Sequence, residues 1–362
     1  MRFQASHAEL SDAVQWVGRT VASRATLPVL TGIMIELEGD KLHLAATDLE
    51  VTGQATLGVK GEENGSVVVA GRLLADIVKS LPPAAIEVED AEGNLKISCG
   101  STTYQIRTMP VEDFPSLPTP GAGGGTLGMG PFGEAVGQVV RAASRDEARP
   151  VLTGVLISTA GGQLHLAATD SYRLAVRSLP WPEAGEVERA ALVPGRALSE
   201  AARAFSSGEV EIGLEDNQIT ISGPGRRITS RLIEGEFPKY QSLLPTDLPV
   251  KARVGREALI EGVKQVAILA QHNSPVRMSF SPGKLELRAE TPDLGEAATA
   301  LPATYDGEPI TIAFNPAYLL DGIGACAGDE VEFGLREPGK AALLRDHPDT
   351  GFLYLLMPVR IG

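Results

Sequence analysis

The stretch Pro28-Val29-Leu30-Thr31-Gly32 occurs twice in this chain, because it returns as Pro150-Val151-Leu152-Thr153-Gly154 at an offset of 122 residues. A second stretch, Leu42-His43-Leu44-Ala45-Ala46-Thr47-Asp48, returns at the same offset as Leu164-His165-Leu166-Ala167-Ala168-Thr169-Asp170. Two separate identities at one offset are not expected by chance. They indicate an internal duplication, which must be recognised before the fold is assigned.

A third, more diverged copy follows the first two. It contains Pro275-Val276-Arg277-Met278 and then Leu285-Glu286-Leu287-Arg288-Ala289-Glu290-Thr291. Each copy opens with apolar residues at helical spacing and has a second helical segment after a strand. Segments such as Leu42/Leu44 alternate in the way that half-buried strands do. The order helix, strands, helix, strands predicts an α+β domain of about 120 residues. The six predicted helices cover 7–24, 71–80, 131–145, 195–207, 256–271 and 315–328.

Three similar compact domains therefore follow one another along the chain. The predicted domains are 1–122 at the N-terminus, 123–245 in the centre and 246–362 at the C-terminus. Residues 115–125 (PSLPTPGAGGG) and 241–250 (QSLLPTDLPV) are rich in Pro or Gly and are the predicted linkers. The copies are too long for solenoid units, which typically repeat every 20–50 residues or so.

The composition excludes several classes of protein. The chain has 362 residues with 46 acidic and 32 basic side chains, so its formal charge is −14. This balance argues against one broad basic face that coats nucleic acid, and against adhesion to an anionic membrane. Two cysteines, Cys99 and Cys326, are too few for a disulfide scaffold and fit a reducing cytoplasm. No apolar run is long enough to span a membrane, and the N-terminus does not resemble a signal peptide. We expect an acidic cytoplasmic protein.

The negative charge is unevenly distributed over the predicted elements. The six predicted helices carry a net charge of +2, so the strands and loops together carry −16. One interpretation is that the protein is divided into a near-neutral set of helices and an acidic set of strands. The other is that strands and loops simply expose more surface, and composition alone does not decide between them.

Signals for catalysis are weak. Asp48 and Asp170 follow Thr47 and Thr169 at matched strand ends and could be metal ligands or acid–base groups. The alternative is that each carboxylate caps a turn by accepting hydrogen bonds from nearby backbone donors. We favour capping, because the two residues belong to different domains.

Other motifs also lack the context that chemistry requires. The stretch Gly128-Met129-Gly130-Pro131-Phe132-Gly133 fits a dinucleotide-binding pattern, but Gly-rich linker rather than a buried strand precedes it. It is better interpreted as a strand-to-helix corner. The chain contains neither a phosphate-binding loop for ATP nor a G-x-S-x-G elbow, and its five histidines lack metal-ligand spacing. We therefore predict no catalytic residue, no cofactor and no metal.

Several of these stretches resemble one known family, the bacterial DNA polymerase III beta subunit, or sliding clamp. The resemblance covers the whole chain and includes the C-terminal Leu356-Met357-Pro358-Val359-Arg360. Its most specific parts are Thr26-Leu27-Pro28-Val29-Leu30, Ala168–Val176 (ATDSYRLAV) and Glu236-Phe237-Pro238-Lys239-Tyr240.

The resemblance implies a fold, an assembly and a function. The fold is α+β, with three tandem copies of a DNA-clamp-type domain, each with two helices on antiparallel sheets. Two chains would form a head-to-tail dimer, a six-domain ring around double-stranded DNA. Such a protein is a processivity factor rather than an enzyme. It tethers the replicative DNA polymerase subunit and other clamp-binding-motif proteins, and an ATP-dependent clamp loader opens it. It would act in the cytoplasm, at replication sites on the nucleoid.

The resemblance also implies three sets of functional residues. Helices that line the hole would direct basic side chains at phosphates without reading bases, and the candidates are Arg24, Arg72, Arg141, Arg145, Arg196 and Arg203. A pocket for a partner peptide with Leu and Phe anchors would comprise Arg149, Leu152, Thr169, Ser171, Tyr172, Arg173, Leu174, Pro238, Leu243, Leu355 and Met357. The dimer interface would include Tyr104, Ile106, Ile268 and Leu269. Pro150-Val151 stands where many relatives carry aromatic residues, and Ser242 stands where some carry Arg, so we expect a different peptide preference in the second half of the pocket.

Two hypotheses from other classes compete with the clamp. A metal-dependent enzyme would use Asp48, Asp170 and Glu290 and would bind a divalent ion. An acidic scaffold would bind proteins but not DNA, and its behaviour would not depend on Arg24, Arg72 or Arg196.

Overall fold

Each of the three repeats folds in the predicted order of helix, strands, helix and strands, with one additional short strand before the first helix. The computed structural model describes residues 1–22, 27–91, 93–119, 125–182, 189–205, 208–245, 248–270 and 274–360. Among these residues, six helices have ten to twelve residues each. They are α1 (His7–Val17), α2 (Gly71–Ser80), α3 (Met129–Val139), α4 (Gly195–Ala204), α5 (Arg256–Ala267) and α6 (Pro316–Ala325).

The strands pair only in antiparallel fashion in the part of the chain that the structure describes. The first repeat contributes β1 (Arg2–Ala5), β2 (Gly32–Glu38), β3 (Lys41–Thr47), β4 (Val51–Gly58), β5 (Lys60–Glu63), β6 (Gly65–Ala70), β7 (Ile86–Ala91), β8 (Asn94–Cys99) and β9 (Thr102–Met109). The second contributes β10 (Gly125–Gly128), β11 (Gly154–Ala160), β12 (Gln163–Thr169), β13 (Arg173–Pro180), β14 (Arg189–Pro194), β15 (Glu209–Leu214), β16 (Gln218–Gly223) and β17 (Arg226–Arg231). The third contributes β18 (Val250–Gly255), β19 (Val276–Ser281), β20 (Lys284–Thr291), β21 (Gly295–Pro302), β22 (Ile310–Phe314), β23 (Glu330–Leu335), β24 (Ala342–His347) and β25 (Phe352–Leu356).

The predicted helices were too long at their C-terminal ends. The helix predicted at 131–145 ends at Val139 and tightens into a 3-10 turn at Val140–Ala142, after which Ala143 is extended. A 3-10 turn satisfies the last carbonyl groups of a helix, so apolar periodicity can continue in the sequence after the helix has ended. Arg141 therefore lies in that turn and Arg145 lies beyond it, not on the helix as predicted.

The shorter helices change the charge assignment. Basic residues that the prediction counted, such as Arg19, Arg141 and Arg145, follow the helix ends instead of belonging to the helices. The observed helices hold six basic and eight acidic residues, so their net charge is −2 instead of the predicted +2. The basic residues are Arg72, Lys79, Arg196, Arg203, Arg256 and Lys264. The acidic residues are Glu9, Asp12, Asp76, Glu134, Glu200, Glu257, Glu261 and Asp321. Positive charge just after a helix is favoured by the partial negative charge of its C-terminus.

The chain folds into two compact units. The first comprises Met1–Gly130 and Glu200–Leu232, and the second comprises Pro131–Ser199 and Ile233–Gly362. The domain boundaries predicted after residues 122 and 245 stay a prediction.

The first unit is built on a thirteen-stranded sheet in the order β10-β15-β16-β17-β4-β3-β2-β6-β9-β8-β7-β1-β5. Helices α1 and α2 pack together and bury Leu10, Val14, Leu74 and Val78. Each such apolar side chain stabilises the fold by about 1.5–3 kcal/mol. Gly71 begins α2 where a Cβ atom would lie only 2.8 Å from Val21 Cγ2, so the close approach requires glycine.

The second unit contains an eight-stranded sheet, β14-β11-β12-β13-β25-β24-β23-β18, and a four-stranded sheet, β21-β20-β19-β22. Helices α5 and α6 pack together and bury Leu259, Val263, Leu319 and Ile323. A Cβ atom at Gly322 of α6 would lie 2.5 Å from the Tyr354 ring, so this glycine lets strand β25 approach the helix closely.

Neither predicted linker is irregular over its full length. Gly125 starts β10 and Val250 starts β18, so each predicted linker ends inside a strand. In the second linker, Leu244 packs against the buried cluster that includes Tyr240, the residue just before the linker. Within the first linker, residues 120–124 lie outside the described ranges.

Candidate functional site

A cluster of apolar side chains covers one face of the eight-stranded sheet in the second unit. Leu174 of β13 pairs with Leu355 of β25, which pairs in turn with Leu343 of β24, so three leucines form one row across the sheet. Tyr240 packs over this row and is itself buried. The buried members are Ala167, Leu174, Val176, Tyr240, Leu343 and Leu355, and we call this set the apolar cluster.

Three large apolar or aromatic side chains are exposed on elements that adjoin the apolar cluster. The exposed fractions are 57% for Tyr172, 55% for Leu243 and 48% for Met357. The amide of Met357 donates to the carbonyl of Tyr172 at 2.9 Å, which joins the chain after β25 to the turn before β13. Leu243 ends a 3-10 turn that begins at Tyr240. Exposed apolar groups grouped in this way are typical of an interaction surface.

The other predicted peptide contacts lie in the same unit. Leu174 and Leu355 are buried in the apolar cluster, whereas Pro238 is exposed on the segment that leads to Tyr240. Leu152 is half-buried in the helical turn Pro150–Thr153, and its amide donates to the carbonyl of Arg149 at 3.0 Å.

A hydrogen-bonded turn joins β12 to β13 and positions Tyr172. Asp170 Oδ1 accepts from the amides of Tyr172 at 2.9 Å and Arg173 at 3.1 Å. Thr169 Oγ1 accepts from the amide of Ser171 at 3.1 Å, and Ser171 has a φ of 81°. These bonds hold a residue other than glycine in the left-handed region, which is otherwise rarely populated.

The first repeat contains the same turn. Asp48 Oδ1 accepts from the amides of Glu50 at 3.1 Å and Val51 at 2.8 Å, and Leu49 has a φ of 76°. Both aspartates therefore cap turns, as the capping interpretation of the sequence predicted. Among the described residues, no three His, Cys, Asp or Glu side chains come together in a way that could hold a metal ion.

The Arg173 side chain is enclosed by four groups. Its Nε donates to Asp170 Oδ2 at 3.0 Å, and its Nη1 donates to Asp321 Oδ2 and, at 3.3 Å, to the Tyr354 hydroxyl. Its Cζ lies 4.3 Å from the centroid of the Tyr318 ring. Burial alone would lower the pKa of the guanidinium, but the oxygens of Tyr354, Asp321 and Asp170 outweigh burial and raise that pKa.

Sequence reasoning did not predict Tyr318, Asp321 or Tyr354 as parts of this site. Asp321 is 148 positions from Arg173 and Tyr354 is 181 positions away. Local patterns carry no signal for such contacts, although the α6 spacing does place Tyr318 and Asp321 on one helix face.

A cleft of about 380 Å³ lies beside Arg173. Three predicted peptide contacts, Arg149, Tyr172 and Arg173, line it together with Tyr318 and Asp321. Arg149 is exposed, and its Nε lies 2.9 Å from Asp146 Oδ2.

The candidate DNA contacts are exposed wherever the structure describes them. Arg72 begins the exposed face of α2, and Arg196 and Arg203 lie at the two ends of α4. Arg203 is 3.0 Å from Glu200 Oε1. Arg141 and Arg145 are exposed after α3. Arg24 lies outside the described residues.

The four candidate dimer residues differ in exposure. Tyr104 and Ile106 lie on β9, where Tyr104 is half-buried and Ile106 is buried within its own unit. Ile268 and Leu269 follow α5, and Ile268 is 72% exposed while Leu269 is half-buried. None of the helices formed by the described residues is both long and apolar enough to cross a membrane.

Three family models together match nearly the entire chain. They describe the N-terminal, central and C-terminal domains of the DNA polymerase III beta subunit and match residues 1–118, 127–239 and 241–360.

The chain is also similar to named relatives and solved structures. It is 38% identical over 375 aligned residues to a beta sliding clamp of Streptomyces coelicolor, with both chains covered completely. It is 37% identical over 310 residues to a beta sliding clamp of Micrococcus luteus, covering 84% of this chain and 100% of the relative.

The fold of the DNA polymerase III subunit beta of Pseudomonas aeruginosa superposes with a TM-score of 0.94 at 30% identity, with both chains covered completely. A second structure of that clamp, bound to griselimycin, has the same TM-score and identity and also covers both chains completely. Three tandem domain matches, relatives aligned over their full length and the shared fold agree. The chain belongs to the DNA polymerase III beta subunit family.

Proposed function

We propose that this chain is a DNA polymerase processivity factor. Two copies form a head-to-tail ring that encircles double-stranded DNA without sequence specificity and tethers the replicative polymerase and other DNA-processing proteins. The protein catalyses no reaction, and a separate ATP-dependent clamp loader opens the ring. It acts in the cytoplasm, at replication sites on the nucleoid. Family membership and one observation, the exposed Tyr172, Leu243 and Met357 around a buried leucine row, carry this proposal.

The partner is a short peptide with Leu and Phe anchors. The groove that we propose for this peptide has the buried Leu174 and Leu355 of the apolar cluster as its floor and the exposed Tyr172, Leu243 and Met357 as its rim. Desolvated apolar pockets of this kind provide most of the binding energy of protein interfaces, while the surrounding contacts exclude water. The exposed Arg149 supplies polar contacts beside the groove.

Two sheet edges support ring formation. Strand β9 pairs with β6 only through Met109 and Thr108, so residues 102–107 lack a neighbour on one side among the described strands. Within the ranges that the structure describes, strand β21 pairs only with β20 and forms an edge of the four-stranded sheet. Because a free edge offers unpaired backbone groups, β9 of one chain can pair with β21 of another, and two such contacts close a dimer. The exposed Ile268 would be covered in that contact.

Basic side chains on α2 and α4 and after α3 supply weak contacts with DNA. Arg72, Arg196, Arg203, Arg141 and Arg145 reach phosphates, which carry no sequence information. A ring holds DNA topologically, so each contact can remain weak and the ring can slide. The overall charge of −14 opposes binding anywhere else on the surface.

Retention on DNA tests the ring directly. The protein loaded onto nicked circular DNA should remain bound during gel filtration, and cutting the circle once should release it. Equal retention on circular and linear DNA would contradict topological binding. Light scattering should give a mass near twice the chain mass of 38.0 kDa, and a value near one chain mass would contradict ring closure.

A further inference from the structure

Helix α6 contributes two side chains to the surroundings of Arg173. Tyr318 and Asp321 are three positions apart, so both project from one side of the helix. The Tyr318 ring lies under the Arg173 guanidinium with 4.3 Å between ring centroid and Cζ, and Asp321 Oδ2 accepts from Nη1. Only 9% of the Arg173 side chain is exposed, whereas Asp321 is 40% exposed.

The enclosed guanidinium needs both of its carboxylate partners. Asp170 is itself 10% exposed and faces the Arg173 Nε, and Asp321 neutralises the other end of the guanidinium fork. Removing one partner of a buried charge pair leaves an uncompensated charge, which then favours a different side-chain position.

Arg173 is connected to the rim of the groove through the β12–β13 turn. Asp170 holds the Arg173 guanidinium with Oδ2 and the amides of Tyr172 and Arg173 with Oδ1. The Tyr172 carbonyl accepts from the Met357 amide at 2.9 Å. The Tyr172 ring also stacks on the Tyr318 ring, with centroids 6.2 Å apart and planes inclined by 26°. Tyr172 and Arg173, two adjacent residues of the turn, therefore both contact side chains of α6.

We propose that Asp321 is a positioning residue for the groove. It fixes Arg173, and through Arg173 it holds the β12–β13 turn in the conformation that presents Tyr172 and Met357 to a partner peptide. This inference rests on the proposed peptide-binding function. It adds that Asp321, on α6, supports the binding surface without having to touch the peptide.

The test compares Asp321→Asn with Glu261→Gln, a control that removes one negative charge from an exposed site on α5. The probe is a labelled short peptide with one Leu and one Phe anchor, and affinity is measured by fluorescence anisotropy. We expect Asp321→Asn to weaken binding roughly 3- to 20-fold and to lower the melting temperature, because the buried Arg173 charge loses a partner, while the protein stays folded at the assay temperature and its dimer mass is unchanged. Glu261→Gln should bind like the unsubstituted protein, and Asp321→Glu should restore most of the affinity.

A double-mutant cycle tests the route through Arg173. If Asp321 acts through Arg173, adding Asp321→Asn to Arg173→Gln costs no further affinity. Additive losses would overturn the inference. Should Arg173→Gln fail to fold, Arg173→Lys replaces it in the cycle. Hydrogen exchange of the free protein gives an independent reading, because Asp321→Asn should reduce protection of the Tyr172, Arg173 and Met357 amides.

Met357→Ala separates failure of this inference from failure of the proposed function. If Met357→Ala weakens peptide binding while Asp321→Asn has no effect, only the role of Asp321 is overturned. If Met357→Ala binds the peptide normally, the groove is wrongly assigned. Unchanged amide exchange around Tyr172 in Asp321→Asn would then overturn the positioning role as well.

Discussion

The two units contain matching strand pairs whose side chains are polar in the first unit and apolar in the second. In the first unit, β4 pairs with β17 and β17 with β16, which places Thr52, Thr229 and Thr220 in one row. In the second, β13 pairs with β25 and β25 with β24, and the corresponding row is Leu174, Leu355 and Leu343. Thr52 and Leu174 are separated by the 122 residues of the repeat.

The hydroxyl groups of the threonine row lie within hydrogen-bonding distance of other threonine hydroxyls. Thr52 Oγ1 donates to Thr47 Oγ1 at 2.9 Å, and the hydroxyls of Thr220 and Thr229 are 3.5 Å apart. In the next row, Gln54 and Arg227 stand where the second unit has Val176 and Leu353. The difference teaches that the duplicated backbone is a scaffold, and that its side chains make this strand junction polar in the first unit and apolar in the second.

The largest expected effect comes from transferring the threonine row into the second unit. We expect Leu174→Thr with Leu355→Thr to weaken peptide binding by more than about 100-fold, because the groove loses its apolar floor. The free energy of unfolding should also fall, by about 2–5 kcal/mol for each buried leucine that is shortened. Anisotropy and thermal denaturation measure the two effects.

A matched control separates binding from stability in that experiment. Leu285→Thr with Leu287→Thr shortens two fully buried leucines of β20 in the four-stranded sheet. It should destabilise the fold similarly yet leave peptide affinity unchanged. Equal losses of affinity in both variants would show that the leucine row has no special role.

A smaller effect is expected at the rim. Met357→Ala should weaken peptide binding by about 1–3 kcal/mol, because an exposed anchor contact is lost at the edge of the groove. The melting temperature should hardly change, since the side chain is 48% exposed. Leu73→Ala on α2, with a side chain that is 47% exposed, is the matched control and should bind normally. Normal binding by Met357→Ala would exclude this residue from the site.

The smallest effect is expected from the reverse transfer. Thr52→Leu with Thr229→Leu gives the first unit an apolar row, but Glu50 stands at the position equivalent to Tyr172. Because an aromatic rim is absent there, isothermal titration should still find one peptide per chain. A stoichiometry of two would mean that the floor alone suffices for binding.

Much of the fold could be predicted from the sequence. The offset between Pro28–Gly32 and Pro150–Gly154 located matching helices and strands, and alternation at Leu42/Leu44 identified a strand. Helix ends were predicted poorly, since Val140–Ala142 continues the apolar pattern of α3 in a 3-10 turn. That error placed Arg145 on a helix and reversed the sign of the helical charge.

The predicted peptide contacts were assigned from the family resemblance. Local sequence patterns by themselves supported only part of that assignment. Without the family, Leu174 and Met357 look equally apolar, but the first is buried and the second is exposed. Burial depends on which strands neighbour β13 and on what packs over it. The pairing of β13 with β25 joins residues from opposite parts of the chain, and no short-range pattern encodes it.

The sequence by itself determined the threefold repetition, the α+β order of each repeat and the capped turns at Asp48 and Asp170. These features depend on interactions between residues close together in the chain, such as an aspartate that accepts from amides two and three positions on. Only the tertiary structure decided which residues line up with Leu174 across the sheet and which side chains enclose Arg173. Arg173 meets Asp321 across 148 positions and Tyr354 across 181, because enclosing a charged guanidinium requires partners from separate elements that packing brings together.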